Sequence, residues 1–342
     1  MDEDLILLAD GGGGERMMDL VRQEILARFE PDDASGELAR LADAAVLAEA
    51  DGRLAFTTDS YTVRPLEFPG GDIGRLAVAG TVNDLACVGA RPVALSLALV
   101  IEEGLERAVL GRMLDAAAAC AREVAAPIVC GDTKVVERGG ADRLFITTAG
   151  VGRIEAGRAL AAEAIRPGDR VLVSGPVADH GVAVMSRREG LRFESAVESD
   201  AAPLWPLAEA LLAARADLRV LKDPTRGGLA AAVNELADAA DVAMRIEEAR
   251  VPVRPAVAGA CEALGLDPLT VANEGKFVVV VAPEGAEAAL AAMRSHPLGR
   301  EAAAIGEVLP APARGPRVTL RTRIGGERVL EMPYGEDLPR IC

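Results

Sequence analysis

The chain has 342 residues, is 50% hydrophobic and carries a formal net charge of −16. This length predicts two domains of about 100–200 residues each, with enough apolar side chains for sizeable cores. The charge excludes duplex nucleic acid as a partner, since phosphate binding needs clustered Lys and Arg; apolar runs such as 93–101 are too short to span a membrane.

A short apolar stretch at 5–9 is followed by Asp10 and four glycines, Gly11 to Gly14. Met18, Val21, Ile25 and Leu26 share one face and predict a helix over 15–29. Glycines ahead of a helix either bring backbone N–H groups close to phosphates or serve as a linker. Strands are predicted over 41–48 and 53–58, around an Asp51-Gly52 turn, with Asp59 directly after the second. Gly70-Gly71-Asp72-Ile73-Gly74 opens a helix in which Asn83 and Asp84 lie among apolar residues, where charge needs a partner. A buried strand over 92–101, an amphipathic helix over 105–124 and a strand over 128–130 follow. The last runs into a predicted turn, Gly131-Asp132-Thr133-Lys134, and a further strand covers 143–151.

A linker near 153–167 separates the halves. In the second half, a strand over 170–174 leads to a helix start at His180, read as capping material, and 207–214 is helical. Asp223-Pro224-Thr225-Arg226-Gly227-Gly228 precedes a helix over 229–240. A helix over 257–264 leads to Asn273-Glu274-Gly275-Lys276, a strand over 277–282, a helix over 286–294 and a strand over 304–309. Residues from 310 on are rich in Pro, Gly and Arg, with a hairpin over 318–330 and an end reading Pro339-Arg340-Ile341-Cys342. The mixture is α+β. It divides into a Gly-rich segment and helix at 1–40, domains at 41–155 and 156–310, and a tail at 311–342.

Five cysteines, Cys87, Cys120, Cys130, Cys261 and Cys342, show no C-x-x-C spacing. That argues against a zinc site or disulfide framework and fits a reducing cytoplasm, as does an acidic start without a signal peptide. Cys87, Cys120 and Cys130 have apolar neighbours and are expected to be buried. Only three of 37 basic residues are lysines: Lys134, Lys222 and Lys276. A retained Lys suits a place that needs a compact, titratable ammonium, although Lys134 and Lys276 also read as solvated surface residues.

Asp59, Asp84, Asp132 and Asp223 sit at strand ends or helix starts, flanked by Gly, Thr or Asn. Each alone reads as an N-cap or turn residue. Together, with no matching His or Cys, they suit Mg²⁺, which takes hard oxygen ligands and bridges nucleotide phosphates.

These motifs carry a resemblance. Gly70 to Gly74 with Thr81-Val82-Asn83-Asp84-Leu85, Gly131 to Lys134, Asp223 to Gly228, Asn273 to Lys276 and the terminal Pro339 to Cys342 resemble, in order and over nearly the whole chain, the HypE family of hydrogenase expression/formation proteins. The carboxylate turns resemble the wider ATP-using superfamily of aminoimidazole ribonucleotide (AIR) synthetase, selenophosphate synthetase and thiamine-monophosphate kinase. The resemblance implies a two-domain α+β fold of the PurM/AIR synthetase-like type. Its first domain pairs through β-strands in a homodimer with ATP near the interface, and its tail is flexible. It implies a cytoplasmic, ATP-dependent carbamoyl dehydratase of [NiFe]-hydrogenase maturation. HypF would load a carbamoyl group onto Cys342, dehydration would give an S-cyanide, and the HypC–HypD complex would receive it. Asp59, Asp84, Asp132 and Asp223 would hold Mg²⁺. Gly12, Gly13 and Gly14 would cover the phosphates, with Asp72, Asn83, Gly131 and Thr133 at the nucleotide. Glu274 is the expected base, and Lys134 would orient the amide or take the proton. Asp10 departs from the family, which has His before the glycines, and Lys222 stands where the family has Arg. A superfamily enzyme acting on a free small molecule, or a non-catalytic thiol carrier, are the competing readings.

Overall fold

A computed structural model of the chain describes residues 15–26, 40–49, 52–190, 197–214, 216–335 and 338–342. Helix α1 (Glu15–Leu20) continues as a π-helix, Val21–Leu26. The first sheet holds β1 (Ala45–Glu49), β2 (Gly52–Tyr61), β5 (Arg91–Glu102), β6 (Ile128–Val136) and β7 (Leu144–Ile154), in the order β1-β2-β7-β5-β6. Two short strands, β3 (Glu67–Phe68) and β4 (Gly71–Asp72), lead into α2 (Ile73–Cys87).

Helix α2 is apolar on nearly every side and is buried accordingly. It packs on β2 and β7, beside α3 (Arg107–Glu123), and also meets the second half of the chain. Alternation in β7 puts Leu144 and Ile146 against the core that α2 and α3 supply. The predicted turn at Gly131 to Lys134 is strand. Parallel pairing with β5 carries β6 on to Val136, with Ala98 opposite Asp132 and Val100 opposite Lys134. A Cβ at residue 131 would lie 2.1 Å from the Leu97 carbonyl oxygen, so the glycine belongs to this close pairing.

The second half is a seven-stranded sheet. Its members are β8 (Arg170–Val173), β9 (Leu218–Lys222), β10 (Val242–Glu247), β11 (Val278–Val281), β12 (Ala303–Pro310), β13 (Val318–Arg321) and β14 (Glu327–Val329). The order is β14-β13-β10-β12-β8-β11-β9. The four valines of β11 are fully buried, as an unbroken apolar run between two neighbours requires. Helices α4 (Asp179–Arg188), α5 (Trp205–Ala213), α6 (Gly228–Ala239), α7 (Pro255–Leu264) and α8 (Ala286–Ser295) complete the unit. The strands β13 and β14 lie in the span assigned from sequence to the tail; they extend this sheet through parallel pairing of β10 with β13.

The end of the chain returns to the first half. Leu338 and Ile341 are buried in the core cluster that contains Tyr61, Leu66 and Ile73. Residues 338–342 are therefore docked here, where the resemblance implies a flexible tail.

Candidate active site

Five carboxylates meet at the seam between the two halves. Strand β2 supplies Asp59, α2 supplies Asp84, the residue after β9 is Asp223, and Glu274 precedes β11. Asp43, just before β1, is the fifth. Thr57 Oγ1 lies 2.7 Å from Asp84 Oδ2 and 3.1 Å from the Asp43 carbonyl oxygen. Asp59 Oδ2 accepts from Tyr61 OH at 3.1 Å and from Thr81 Oγ1 at 3.2 Å. Ligand atoms of Asp43, Asp223 and Cys87 lie within 4.8 Å of one another.

Crowding shows in the electrostatics. Burial pushes Asp84 well above the usual carboxylate range, and Asp59, Asp223 and Asp43 add to it. Burial and Asp43 push Asp223 up to about 7, against the pull of Lys222. Glu274 is raised well above its ordinary value by burial, then by Asp223, Asp200 and Asp59. Tyr61 is raised by burial, Asp59, Glu274 and Asp84. Oxygen donors that repel one another in this way suit a hard divalent cation, whose charge would relieve the repulsion. Among the described residues, Asp43 and Asp223, with Cys87, bring their ligand atoms close enough together to share one. A cavity of about 770 Å³ opens beside the cluster, lined among others by Asp43, Cys87, Lys222, Arg40 and Arg53. Partly buried Lys222 ties Asp43 (2.7 Å) to Glu235 (3.0 Å).

Asp132 does not join this set within the chain. It stands exposed on β6, 2.6 Å from Lys134 Nζ, and that ammonium holds its carboxyl below the usual range. Residues two apart on a strand share a face, and in the described residues only β5 pairs with β6. Thr133 is exposed with them. Asp43 is the fourth aspartate in the cluster. Nothing in its Ala-rich context singled it out.

The remaining expected residues divide. Asp72 caps α2, its Oδ1 accepting from Arg75 N at 2.9 Å. Asn83 is spent on the seam: Nδ2 donates to the carbonyls of Ala202 and Glu274, both at 3.2 Å, and Oδ1 accepts from Leu204 N at 2.7 Å. Asp10 and Gly12, Gly13 and Gly14 lie outside the described residues. Cys87 is buried beside Asp223, 3.9 Å from its Oδ1, and Cys130 is exposed on β6 rather than buried.

Glu274 is set by a residue that sequence reasoning missed. Buried Asp200 accepts from Glu274 N at 3.1 Å, Gly275 N at 3.2 Å and Lys276 Nζ at 2.9 Å. Burial pushes Asp200 up, but Lys276, His180 and the Glu274 N–H outweigh it and hold its carboxyl below the usual range. Lys276 is therefore no surface lysine. A Cβ on Gly275 would lie 1.8 Å from the Asp200 carbonyl oxygen, which explains the glycine between Glu274 and Lys276.

The docked end forms a short strand-like pairing with residues 62–64. Thr62 N donates to the Cys342 carbonyl oxygen at 3.0 Å and Arg64 N to that of Arg340 at 3.2 Å. His180 is not a cap, the cap position being Ala178. Its ring is buried, with Nδ1 2.8 Å from Ser199 Oγ and Nε2 2.8 Å from the Ile341 carbonyl oxygen. Cys342 is partly buried against the core cluster that contains Tyr61.

The two halves each correspond to a known domain. Residues 41–154 match the AIR synthase related protein N-terminal domain, and residues 166–318 match the corresponding C-terminal domain. Within that class the chain is 49% identical over 340 residues to carbamoyl dehydratase HypE of Rhodobacter capsulatus, covering 99% of each chain. A HypE solved in complex with ATP is similar with TM-score 0.82 and 46% identity, over 99% of this chain and 100% of that one. The HypE–HypF complex gives TM-score 0.85 and 43% identity, over 92% and 99%. The chain belongs to the HypE family of carbamoyl dehydratases.

Proposed function

We propose that this chain dehydrates an S-carboxamide carried on its own Cys342 to an S-cyanide, using ATP, and so supplies the cyanide ligand of the [NiFe]-hydrogenase iron. The observation that carries this reading is the docked tail. Cys342 is bonded to Thr62, next to Tyr61, whose hydroxyl meets Asp59 of the carboxylate cluster.

The amide oxygen is a poor leaving group, and phosphorylation makes it a good one. It attacks the γ-phosphorus of ATP, ADP departs, and one N–H proton is lost. Breaking the C–O bond then expels phosphate, the second N–H proton leaves, and the nitrile forms. Glu274 is the base in this reading. Burial and neighbouring carboxylates raise its proton affinity toward the range that general-base work needs. Mg²⁺ held by Asp43, Asp59, Asp84 and Asp223 would neutralise phosphate charge in the transfer. The cavity beside Asp43 supports ATP as co-substrate, as does the relative solved with ATP.

Lys134 and Asp132 enter through a homodimer in this reading. Strand β6 ends the sheet with Val129 and Val135 exposed, and Phe56 and Val93 are exposed on the same sheet. Pairing there would cover these side chains and carry one protomer's Asp132 and Lys134 toward its partner. HypF, seen with a relative, is the proposed loading partner, and the HypC–HypD complex the proposed acceptor. A reducing cytoplasm suits a carrier thiol that must stay unpaired.

Intact mass spectrometry tests the reaction. The chain with HypF, carbamoyl phosphate and ATP should gain one carbamoyl group on Cys342 and then lose one water. Product formed by a chain lacking Cys342 would point to a free substrate. Unimpaired turnover in Asp84→Asn would leave only a carrier.

A further inference from the structure

The contacts that hold the docked tail are concentrated on a few side chains outside the carboxylate cluster. Arg188, at the end of α4, grips two segments at once. Its Nε and Nη2 donate to the Arg64 carbonyl at 2.9 and 2.7 Å, its Nη1 to that of Pro339 at 2.6 Å, and its Nη2 to that of Arg340 at 2.6 Å. Asp142, in the loop before β7, takes the Arg340 guanidinium at 2.5 Å. Arg340 also donates to the Thr62 carbonyl at 2.8 Å and lies over the Phe145 ring at 5.6 Å. Arg340 has φ of +53°, a left-handed conformation that a non-glycine residue keeps only when held.

We propose that Arg188 and Asp142 are positioning residues that clamp the tail, and that their grip sets how Cys342 divides its time between the docked position and one accessible to a loading partner. This rests on the reading of Cys342 as carrier of the reacting group. The chemistry of the clamp suits that task. Arg188 reads main-chain carbonyls and Asp142 reads Arg340, atoms unchanged by what the sulfur bears. The same clamp therefore serves a free, a carbamoylated and a cyanated tail. Both residues lie at a partly exposed rim, whereas release must also free buried Leu338 and Ile341 and part the His180 ring from the Ile341 carbonyl. The planar fork of Arg188 spans carbonyls on both segments, which a lysine ammonium cannot match. Asp142 is held below the usual carboxylate range, first by the Arg340 hydrogen bond, and stays charged at neutral pH.

The clamp makes the two half-reactions respond in opposite directions. Loading needs the tail out, and dehydration needs it docked. The test uses the full chain and the variants Asp142→Asn and Arg188→Lys. Alkylation by iodoacetamide is followed by peptide mass mapping, with exposed Cys130 as internal control. Both variants should alkylate Cys342 at least tenfold faster, with Cys130 unchanged. Carbamoyl loading should be equal or faster, while single-turnover dehydration of preloaded protein on adding ATP should slow at least tenfold. Asp142→Glu, which keeps the charge, should stay within a few-fold of the parent. An unchanged Cys342 alkylation rate would overturn the proposal. So would loading and dehydration falling together, the mark of general damage to the fold. If the parental chain takes up no carbamoyl group, the functional reading fails, and the alkylation rates still decide whether the clamp exists.

Discussion

Asp200→Ala is the sharpest probe of how the site is held. The substitution leaves the Lys276 ammonium buried without its counter-charge, and leaves Glu274 N and Gly275 N without an acceptor. Removing one partner of a buried pair costs about 3–5 kcal/mol, and an unsatisfied buried donor about 1–3 kcal/mol more. These terms overlap, so a loss of about 4 kcal/mol is expected, a large share of the ~5–15 kcal/mol of a typical domain. Urea unfolding at pH 7 reads it as a lowered midpoint. Replacing the pair together, Asp200→Ala with Lys276→Met, should recover about half of the loss, since no unpaired charge then remains. The pH dependence supplies a second readout. The folded-state pKa of Asp200 is depressed, so its contribution is complete above the unfolded carboxylate value near 4 and fades as pH falls through the lower folded value. That acid limb should vanish in Asp200→Ala. A loss under about 1 kcal/mol, or a double variant no better than the single, would refute the buried-pair account.

The raised carboxylates give the opposite sign. Asp223, pushed up to about 7, and Glu274 and Asp84, also raised, destabilise the fold as pH rises from the unfolded values through the folded ones. With chelator present, the melting temperature should therefore fall between pH 6 and 8, and added Mg²⁺ should restore more at pH 8 than at pH 6. Gly131→Ala should push β6 from β5, because its Cβ would meet the Leu97 carbonyl at 2.1 Å. The expected cost is about 1–3 kcal/mol, read by thermal melting. Val135→Asp, at an exposed position, should leave the melting curve of the monomer nearly unchanged. Light scattering should then show the proposed homodimer lost relative to the parent; a dimer kept by the variant would move the pairing surface off β6, and a monomeric parent would refute the pairing altogether.

Much of the site was legible because unusual chemistry sat in an unusual place. Asp84 inside an apolar helix demanded a partner, and the structure supplies the Thr57 hydroxyl, while three further aspartates crowd the same carboxyl. Glu274 between Asn273 and Gly275 was singled out by motif, and the structure places it buried at the seam. Asp43 and Asp200 were not legible, because a lone aspartate among alanines or beside a serine carries no local signal. Their roles come from what tertiary contacts bring to them. Asp132 misled for a related reason. Its Gly-Asp-Thr-Lys context reads as a turn, but the long neighbouring strand β5 overrides that preference and draws it onto the sheet edge. His180 read as a cap from its Asp-His-Gly context. Only the return of the distant tail reveals its partner. β10 escaped notice because Val242–Glu247 is short and follows a helix with a two-residue break.

The seam bonds of Asn83 bear on how freely the two halves can be exchanged. Each half matches its own family domain and looks like an interchangeable part. Yet Asn83 is bonded to the backbone at Ala202, Leu204 and Glu274, Arg75 donates to the Ala201 carbonyl at 2.9 Å, and Ser199 N donates to the Pro69 carbonyl at 2.8 Å. The segment 199–204 is thus cut to fit the face of α2. A chimera made by grafting the second half of a distant relative onto this first half would inherit both sheets and misalign the weld. Grafts should succeed when the crossover keeps residues 199–204 and 274–276 with the donor of α2. The unit of inheritance at this active site is the joint, not the domain.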